Sequence, residues 1–515
     1  MSETRKLPAW TSHAAIGAAL AVLVAWSFWQ RWQILAASPF PLGVDGYFYP
    51  IQIRSLLESG SLQYPASPLT FWFMAPFAAA TDPITGAKLG AALGSALIAL
   101  PAYAVGARLA RSRGAGLLAA AIASTSASSV YLAMEFVKQG IGLTVALTAL
   151  WLVLRTLDEP TRRRIAIAIG GIVATLLAHK LAAALVIVIA VPALAEEARA
   201  RGTLRGRRLL YVVAGSVVAA IVVLVLGLVA PQRFLAPGDA ALLGSLMSSH
   251  ARWSAPALVM PRFELAFDHE AVVGLGSALG AAVVLVMSRA GRSSSLPTAV
   301  VGKRGHGERV AAWVIVISGI VIGLPWLAVD NPQGLAFRLR VAAFVPLALT
   351  APIVLAALAT RLAPRVRDIG FAVLALLLAL RMIDRPVEGR VVAHPALVSG
   401  VIAATTKIPA GATVIVPERH ILFMVAWYTR APVSLRPELV PYPQRVRLLP
   451  LAFTGMGSPL EHALDEARLQ PDLDPPIGLH PRHHNGLVLV TERTWDWLMK
   501  DLGPSAKPWI DWPTI

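Results

Sequence analysis

The chain has 515 residues, of which 56% are hydrophobic and only 15% charged, and its formal net charge is +17. Apolar runs long enough to cross a bilayer of about 30 Å exclude a soluble globular protein and predict a polytopic membrane protein, mainly α. There is no cysteine, which excludes disulfides and thiolate metal sites, and the positive charge sits in short loops between spans, where it orients a membrane protein instead of binding nucleic acid.

In chain order the sequence predicts eleven spans, at about 13–29, 86–107, 114–132, 139–155, 164–178, 181–195, 209–230, 270–288, 310–329, 339–360 and 368–382. Alternate loops are basic. They carry Arg5 and Lys6, Arg108 to Arg113, Arg155 to Arg164, Arg199 to Arg208, Arg289 to Arg309, and Arg361 to Arg367. The positive-inside rule then places the N-terminus in the cytoplasm and the C-terminus outside. The first span could be a signal peptide with a weak cleavage region at Leu35-Ala36-Ala37. Its length and its Trp26, Trp29 and Trp32 fit an interfacial anchor better.

The first outer loop, about 30–85, opens on Gly43-Val44-Asp45-Gly46-Tyr47-Phe48-Tyr49-Pro50. An acid so close to hydrocarbon is costly without a partner or a task. Residues 51–60 are amphipathic, with Ile51, Ile53, Leu56 and Leu57 apolar and Gln52, Arg54, Ser55 and Glu58 polar. They predict a helix lying on the membrane and ended by Gly60. A second apolar stretch, 68–80, is short for a span and predicts a juxtamembrane helix.

The run 164–195 is interrupted by His179-Lys180. As one helix it would bury both near mid-membrane. As a hairpin it puts them at an outer turn and keeps every basic loop inside, with each half only about 22 Å long at 1.5 Å per residue. The hairpin is preferred. Outer loops follow at 231–269 and 330–338, the latter leading into Arg338 and Arg340. From about Arg385 proline rises and the apolar runs stop. Helices are predicted at 395–407, 421–428 and 495–502, and strands at 412–417 and 487–491. The predicted organisation is therefore a membrane domain, 1–384, and a small extracytoplasmic α/β domain, 385–515.

A span followed by Asp45-Gly46-Tyr47, an amphipathic helix with Arg54, Glu58-Ser59-Gly60, Pro65-Ala66-Ser67-Pro68-Leu69 and a span ending Gly106-Ala107-Arg108-Leu109 resembles the N-terminal module of the GT-C superfamily of membrane glycosyltransferases. That group includes protein O-mannosyltransferases, aminoarabinose transferases and oligosaccharyltransferase catalytic subunits. The pattern covers roughly residues 10–160, and the rest matches in layout. The chain lacks an Asp-X-Asp motif, a His-Pro-Pro-Leu before the second span and a Trp-Trp-Asp signature.

The resemblance implies transfer of a sugar from a polyprenyl-phosphate donor to a glycan, lipid or protein acceptor at the outer face of a cell membrane, in the cell envelope. Asp45 is then the base that takes the acceptor's proton; otherwise it caps a helix or orders the loop. Tyr47 and Tyr49 stack on a sugar or orient Asp45, or belong to the interfacial aromatic belt. Glu135 orients the acceptor or joins Asp45 around a divalent metal ion, or simply pairs with Lys138. The lipid phosphate needs cations, and Lys138, His179, Lys180, Arg338 and Arg340 are the candidates; Arg54 is expected among the substrate-binding residues. Arg338 and Arg340 point to different sides of a helix, so at most one, Arg338, is expected to face a cavity; snorkelling is the bland alternative. His480, His483 and His484 have no acid nearby and predict a solvated loop, not a metal site. The competing classes are a lipid or solute transporter or flippase, and a non-catalytic subunit of polysaccharide assembly.

Overall fold

The structure, a computed structural model, describes residues 9–43, 45–202, 266–289, 305–324, 335–381, 395–405, 408–416, 419–450, 459–474, 476–478 and 487–502. The expected span 209–230, the outer loop as far as 265, and His480, His483 and His484 lie outside the described residues. The chain divides into two compact units. The first comprises Met1–Ile34, Tyr64–Met74 and Leu89–Glu388, and the second Leu35–Gln63, Ala75–Lys88 and Gly389–Ile515. Residues 35–63 and 75–88 cluster with the C-terminal segment.

The helices run in order α1 Ala9–Ala36, α2 Phe48–Ser59, α3 Leu69–Ala80, α4 Pro83–Ala96, α5 Ala99–Ala110, α6 Arg113–Thr125, α7 Ala127–Met134, α8 Val137–Asp158, α9 Arg162–Ala178 and α10 Lys180–Ala200. Then come α11 Ala266–Arg289, α12 His306–Gly323, α13 Leu335–Val341, α14 Phe344–Leu358 and α15 Pro364–Arg381. Every expected span on described residues is helical. By length and apolar composition seven of these helical stretches are able to cross a membrane, α4–α5 and α13–α14 each counting as one. The bent pair α6–α7 makes an eighth. The chain is a multi-pass membrane protein. α9, at 17 residues, and α15, which carries Arg365, Arg367 and Asp368, are shorter or more charged than those eight.

Two details depart from the sequence reading or decide between its alternatives. The expected span 114–132 is not one rod: it breaks at Ser126 and bends by 43°. Ser126 sits at φ −59°, ψ 135° and its hydroxyl caps α7 by accepting from Ser129 N, a use of serine that competes with a continuous helix. The region 164–195 is a hairpin. His179, extended at φ −162°, ψ 122°, sits against Gly142 near the start of α8. The far ends of both arms return to the end of α8. There Thr156 Oγ1 donates to Arg164 O at 3.3 Å, and Arg201 Nη2 donates to Leu157 O.

The first unit is packed by small side chains. Gly116 in α6 lies so close to Ala107 and Tyr103 of α5 that an added Cβ would come within 2.6 Å of Ala107 Cβ; such close approach is how membrane helices gain dispersion energy without a hydrophobic driving force. Its basic end is tied by charge. Arg108 donates to both carboxylate oxygens of Asp158 at 2.8 and 2.6 Å and reaches Glu308 at 3.5 Å. Ser112 Oγ donates to Asp368 at 2.6 Å, and Glu197 accepts from Gly307 N at 2.9 Å.

In the second unit five strands, β1 Thr413–Ile415, β2 Val433–Ser434, β3 Arg445–Pro450, β4 Ile477–Gly478 and β5 Leu487–Thr491, form one mixed sheet in the order β2-β1-β3-β5-β4. β1 pairs in parallel with β2 and β3, while β5 pairs antiparallel with β3 and β4. Helices α16 Pro395–Thr405, α17 Arg419–Thr429, α18 Pro459–Leu469 and α19 Glu492–Leu502 complete it. Leu449, Val488, Val490, Ala463, Leu464 and Leu498 make the core between sheet and helices.

Candidate functional site

In the first unit, the end away from the Arg108–Asp158 pair gathers the polar residues that the sequence singles out. α7 stops at Glu135, the C-cap residue, whose N–H donates to Tyr131 O at 2.9 Å. Phe136 separates α7 from α8 and meets Tyr131 and Phe337 with ring centroids 6.0 Å away in both cases. Arg338 lies over the Phe136 ring, its Cζ 4.9 Å from the centroid, a cation–π arrangement. Gln139 Nε2 donates to Arg338 O at 2.8 Å, joining α8 to α13.

His179 forms the turn between α9 and α10. Its Nδ1 accepts from Ala182 N at 3.4 Å, so the neutral ring carries its proton on Nε2. Burial, joined by the charges of Lys138, Arg338 and Lys180, pushes the imidazole well below its ordinary value. Next to the Gly142 that touches it begins an apolar cavity of about 50 Å³ between α8, α10, α12 and α14. Leu143, Leu147, Val186, Ile315, Ile322 and Leu349 are among its walls, and Ser318 is its one hydroxyl.

Arg340 takes another path. It is 2% exposed and donates through Nη1 to Ile322 O and Leu324 O at 2.9 and 3.0 Å. It therefore caps the C-terminal end of α12, where a cation suits the helix dipole.

Sequence reasoning missed two charged residues in this unit. Glu270, on α11, accepts from Ser126 Oγ and Ala127 N, both at 2.7 Å, from Ser128 N at 3.3 Å, and from Ser128 Oγ. Arg31, on α1, is 1% exposed and donates to Ser124 O at 2.9 Å and Ser129 Oγ at 2.8 Å. The hydroxyl-rich run Ser124-Thr125-Ser126-Ala127-Ser128-Ser129 was the available signal.

In the second unit, Asp45 occupies a tight turn. Gly46 N donates to Gly43 O at 3.1 Å and Phe48 N to Asp45 O at 2.9 Å. A Cβ on Gly46 would come within 2.7 Å of Leu42 O, so the turn admits no side chain there. Asp45 is half-buried, with Oδ1 shielded from solvent. The N-cap of α2 is Tyr47, and no side chain caps it. Tyr47 is 3% exposed, and its hydroxyl shares a 2.9 Å hydrogen bond with that of Tyr428. Burial and that partner push its phenol up. Tyr49 is buried and packs edge-on to Phe48 at 5.6 Å. Arg54 lies 4.3 Å over the Trp427 ring and donates to Trp427 O at 3.0 Å. Its neighbour Glu58 pairs with Arg430 at 3.0 Å. Helix α2 is thereby fastened to α17 of the same unit.

Lys180 follows His179 at the α9–α10 turn, Lys138 and Arg338 act on that imidazole through their charge, and Glu135 ends α7, while Asp45, Tyr47, Tyr49 and Arg54 share the second unit. Among the described residues no three His, Asp or Glu side chains gather as a metal-binding group.

No family model matches the chain, and no curated protein matches it in sequence. Among solved structures, ArnT from Cupriavidus metallidurans bound to undecaprenyl phosphate is similar over 94% of this chain and 98% of that one, at 16% identity and a TM-score of 0.39.

Proposed function

We propose that the chain is a membrane glycosyltransferase of GT-C type that takes a sugar from a polyprenyl-phosphate-linked donor. One observation carries the reading: the α9–α10 turn at His179 and Lys180 packs against Gly142 of α8, next to Leu143 on the wall of an apolar cavity in the same unit, and Lys138 and Arg338 act on that imidazole through their charge. A lipid phosphate has the complementary form, an anionic head on a long apolar tail. Lys138, Lys180 and Arg338 supply charge-assisted hydrogen bonds to the phosphate as it leaves the sugar. His179 Nε2–H adds a donor without adding charge. The cavity walls offer apolar surface to the first isoprene units. Asp45 is the proposed base that accepts the acceptor's proton, presented by the tight turn at Gly46.

The test is binding of undecaprenyl phosphate to the purified chain, followed by tryptophan fluorescence. A hydrogen bond to a charged group is worth about 1.5–3 kcal/mol. Lys138→Ala and Arg338→Ala should each weaken binding by roughly tenfold or more. Asp45→Asn should bind as tightly as the parent yet transfer no sugar. Full transfer by Asp45→Asn overturns the assignment of the base. A lipid flippase is the second reading, favoured by the polar break in α6–α7, since broken helices mark transport sites. It would move undecaprenyl phosphate across a vesicle membrane without a glycosylated product.

A further inference from the structure

The break between α6 and α7 lies within an apolar span, yet two opposite charges from two other helices meet it. A helix presents unpaired carbonyls at its C-terminal end and unpaired amides at its N-terminal end, with matching partial charges. Arg31 of α1 meets the end of α6: Nη2 donates to Ser124 O at 2.9 Å. Ser27 Oγ donates to the same carbonyl at 3.0 Å, and Arg31 is itself steadied on Ser27 O at 3.0 Å. Glu270 of α11 meets the start of α7 and receives four donors, the amides of Ala127 and Ser128 and the hydroxyls of Ser126 and Ser128. The cation thus stands at the negative end of one half-helix and the anion at the positive end of the other. Ser129 ties the two halves together, because its hydroxyl accepts from Arg31 at 2.8 Å and its amide donates to Ser126 Oγ at 3.3 Å. Burying two ionised groups in a membrane domain is expensive, and a continuous helix would need neither.

We propose that Arg31 and Glu270 are positioning residues: their matched charges hold the third span broken, and the break fixes where α7 delivers Tyr131, Glu135 and Lys138. The proposal rests on the lipid-phosphate reading of the Lys138, Lys180 and Arg338 cluster. α7 has only eight residues, so a shift at Ser126 is carried directly to Glu135 and into the first turn of α8. Glu270→Gln keeps the shape but turns an NH₂ donor toward a ring of donors. Glu270→Asp keeps the charge on a shorter arm.

Two measurements on the full chain in nanodiscs test this. The first is amide hydrogen exchange. In Glu270→Gln and Arg31→Met, exchange over 125–136 should rise at least tenfold while 143–157 of α8 stays as in the parent. Glu270→Asp should restore much of the protection. The second is affinity for undecaprenyl phosphate, which should fall at least fivefold in Glu270→Gln and recover in Glu270→Asp. Unchanged exchange over 125–136 refutes the clamp. Raised exchange with parental affinity refutes its positioning role. A parent chain that binds no undecaprenyl phosphate refutes the lipid-phosphate reading and the positioning role with it, while the exchange result still decides whether the clamp exists.

Discussion

Gly142 is where a single methyl group should do most damage. An added Cβ would lie 2.4 Å from His179 Cβ and 3.3 Å from Ala182 Cβ. Carbon atoms rest at about 3.5–4.0 Å, so in Gly142→Ala the α9–α10 turn and α8 must part by about 1 Å or more. Overpacking of this kind costs about 1–3 kcal/mol. The same movement shifts His179 and Lys180 relative to Lys138. Affinity for undecaprenyl phosphate should therefore fall by roughly tenfold, at about 1.4 kcal/mol per decade, and the melting temperature in detergent should drop. Gly170→Ala is the paired control. It lies on the exposed face of α9, with nothing within 4 Å of an added Cβ, and replacing a mid-helix glycine there should stabilise by about 0.5–1 kcal/mol. If Gly142→Ala melts and binds like the parent, α8 does not hold the His179 turn in place, and the account of the cluster fails with it.

Further expectations concern the rest of the fold. Glu492 is 4% exposed and accepts from Arg447 at 2.7 Å twice and from Arg445 at 3.1 Å. Removing one partner of such a pair costs about 3 kcal/mol, so Glu492→Ala should speed amide exchange in β3 and β5 by about a hundredfold. Burial pushes the Glu492 carboxyl up, but the two arginines outweigh it and hold the group below its ordinary value. Its contribution is then complete above about pH 4.3 and fades as acid carries the solution through the lowered folded-state pKa. The sheet should lose protection in that acid range in the parent, and Glu492→Gln should abolish this pH dependence. Arg340→Met uncaps α12 and should lower the melting temperature, whereas Arg340→Lys, which keeps the charge but not the fixed geometry of the guanidinium, should recover only part of the loss. In a double-mutant cycle, Arg54→Ala and Trp427→Ala should couple by about 1 kcal/mol; additive effects would show that α2 and α17 are not fastened there.

Much of the fold was legible because hydropathy and charge alternate along the chain. The hairpin at 164–195 followed from His179-Lys180 and the arginines on either side, and the helix after Asp45 followed from the apolar positions up to Gly60. The break at Ser126 was hidden, since serine and threonine are ordinary within a membrane span and the partners that open it, Arg31 and Glu270, lie far away in sequence. Strand β3 was missed for a similar reason. Its alternation, Arg445-Val446-Arg447-Leu448, places two arginines on one face, and Glu492 of α19, with Val440 O and the Trp495 ring, supplies their partners. The sequence favoured Arg338 over Arg340 as the one facing a cavity, but the carbonyls of Ile322 and Leu324 that Arg340 binds could not be foreseen. Asp45 was visible from the start, but its surroundings, Tyr47 bonded to Tyr428 across 381 positions, depend on a long-range contact that no local pattern encodes.

The two extremities of the membrane unit are secured by different forces. Around Arg108 the fastening is ionic, and Asp158, one of its partners, has 56% of its side chain in contact with solvent. Around Phe136 it is aromatic and backbone-mediated. Dissolved ions weaken the former and scarcely affect the latter. Concentrated salt should therefore slacken the bundle at one extremity alone, and buffer composition becomes a lever for loosening the basic side while leaving the histidine turn intact.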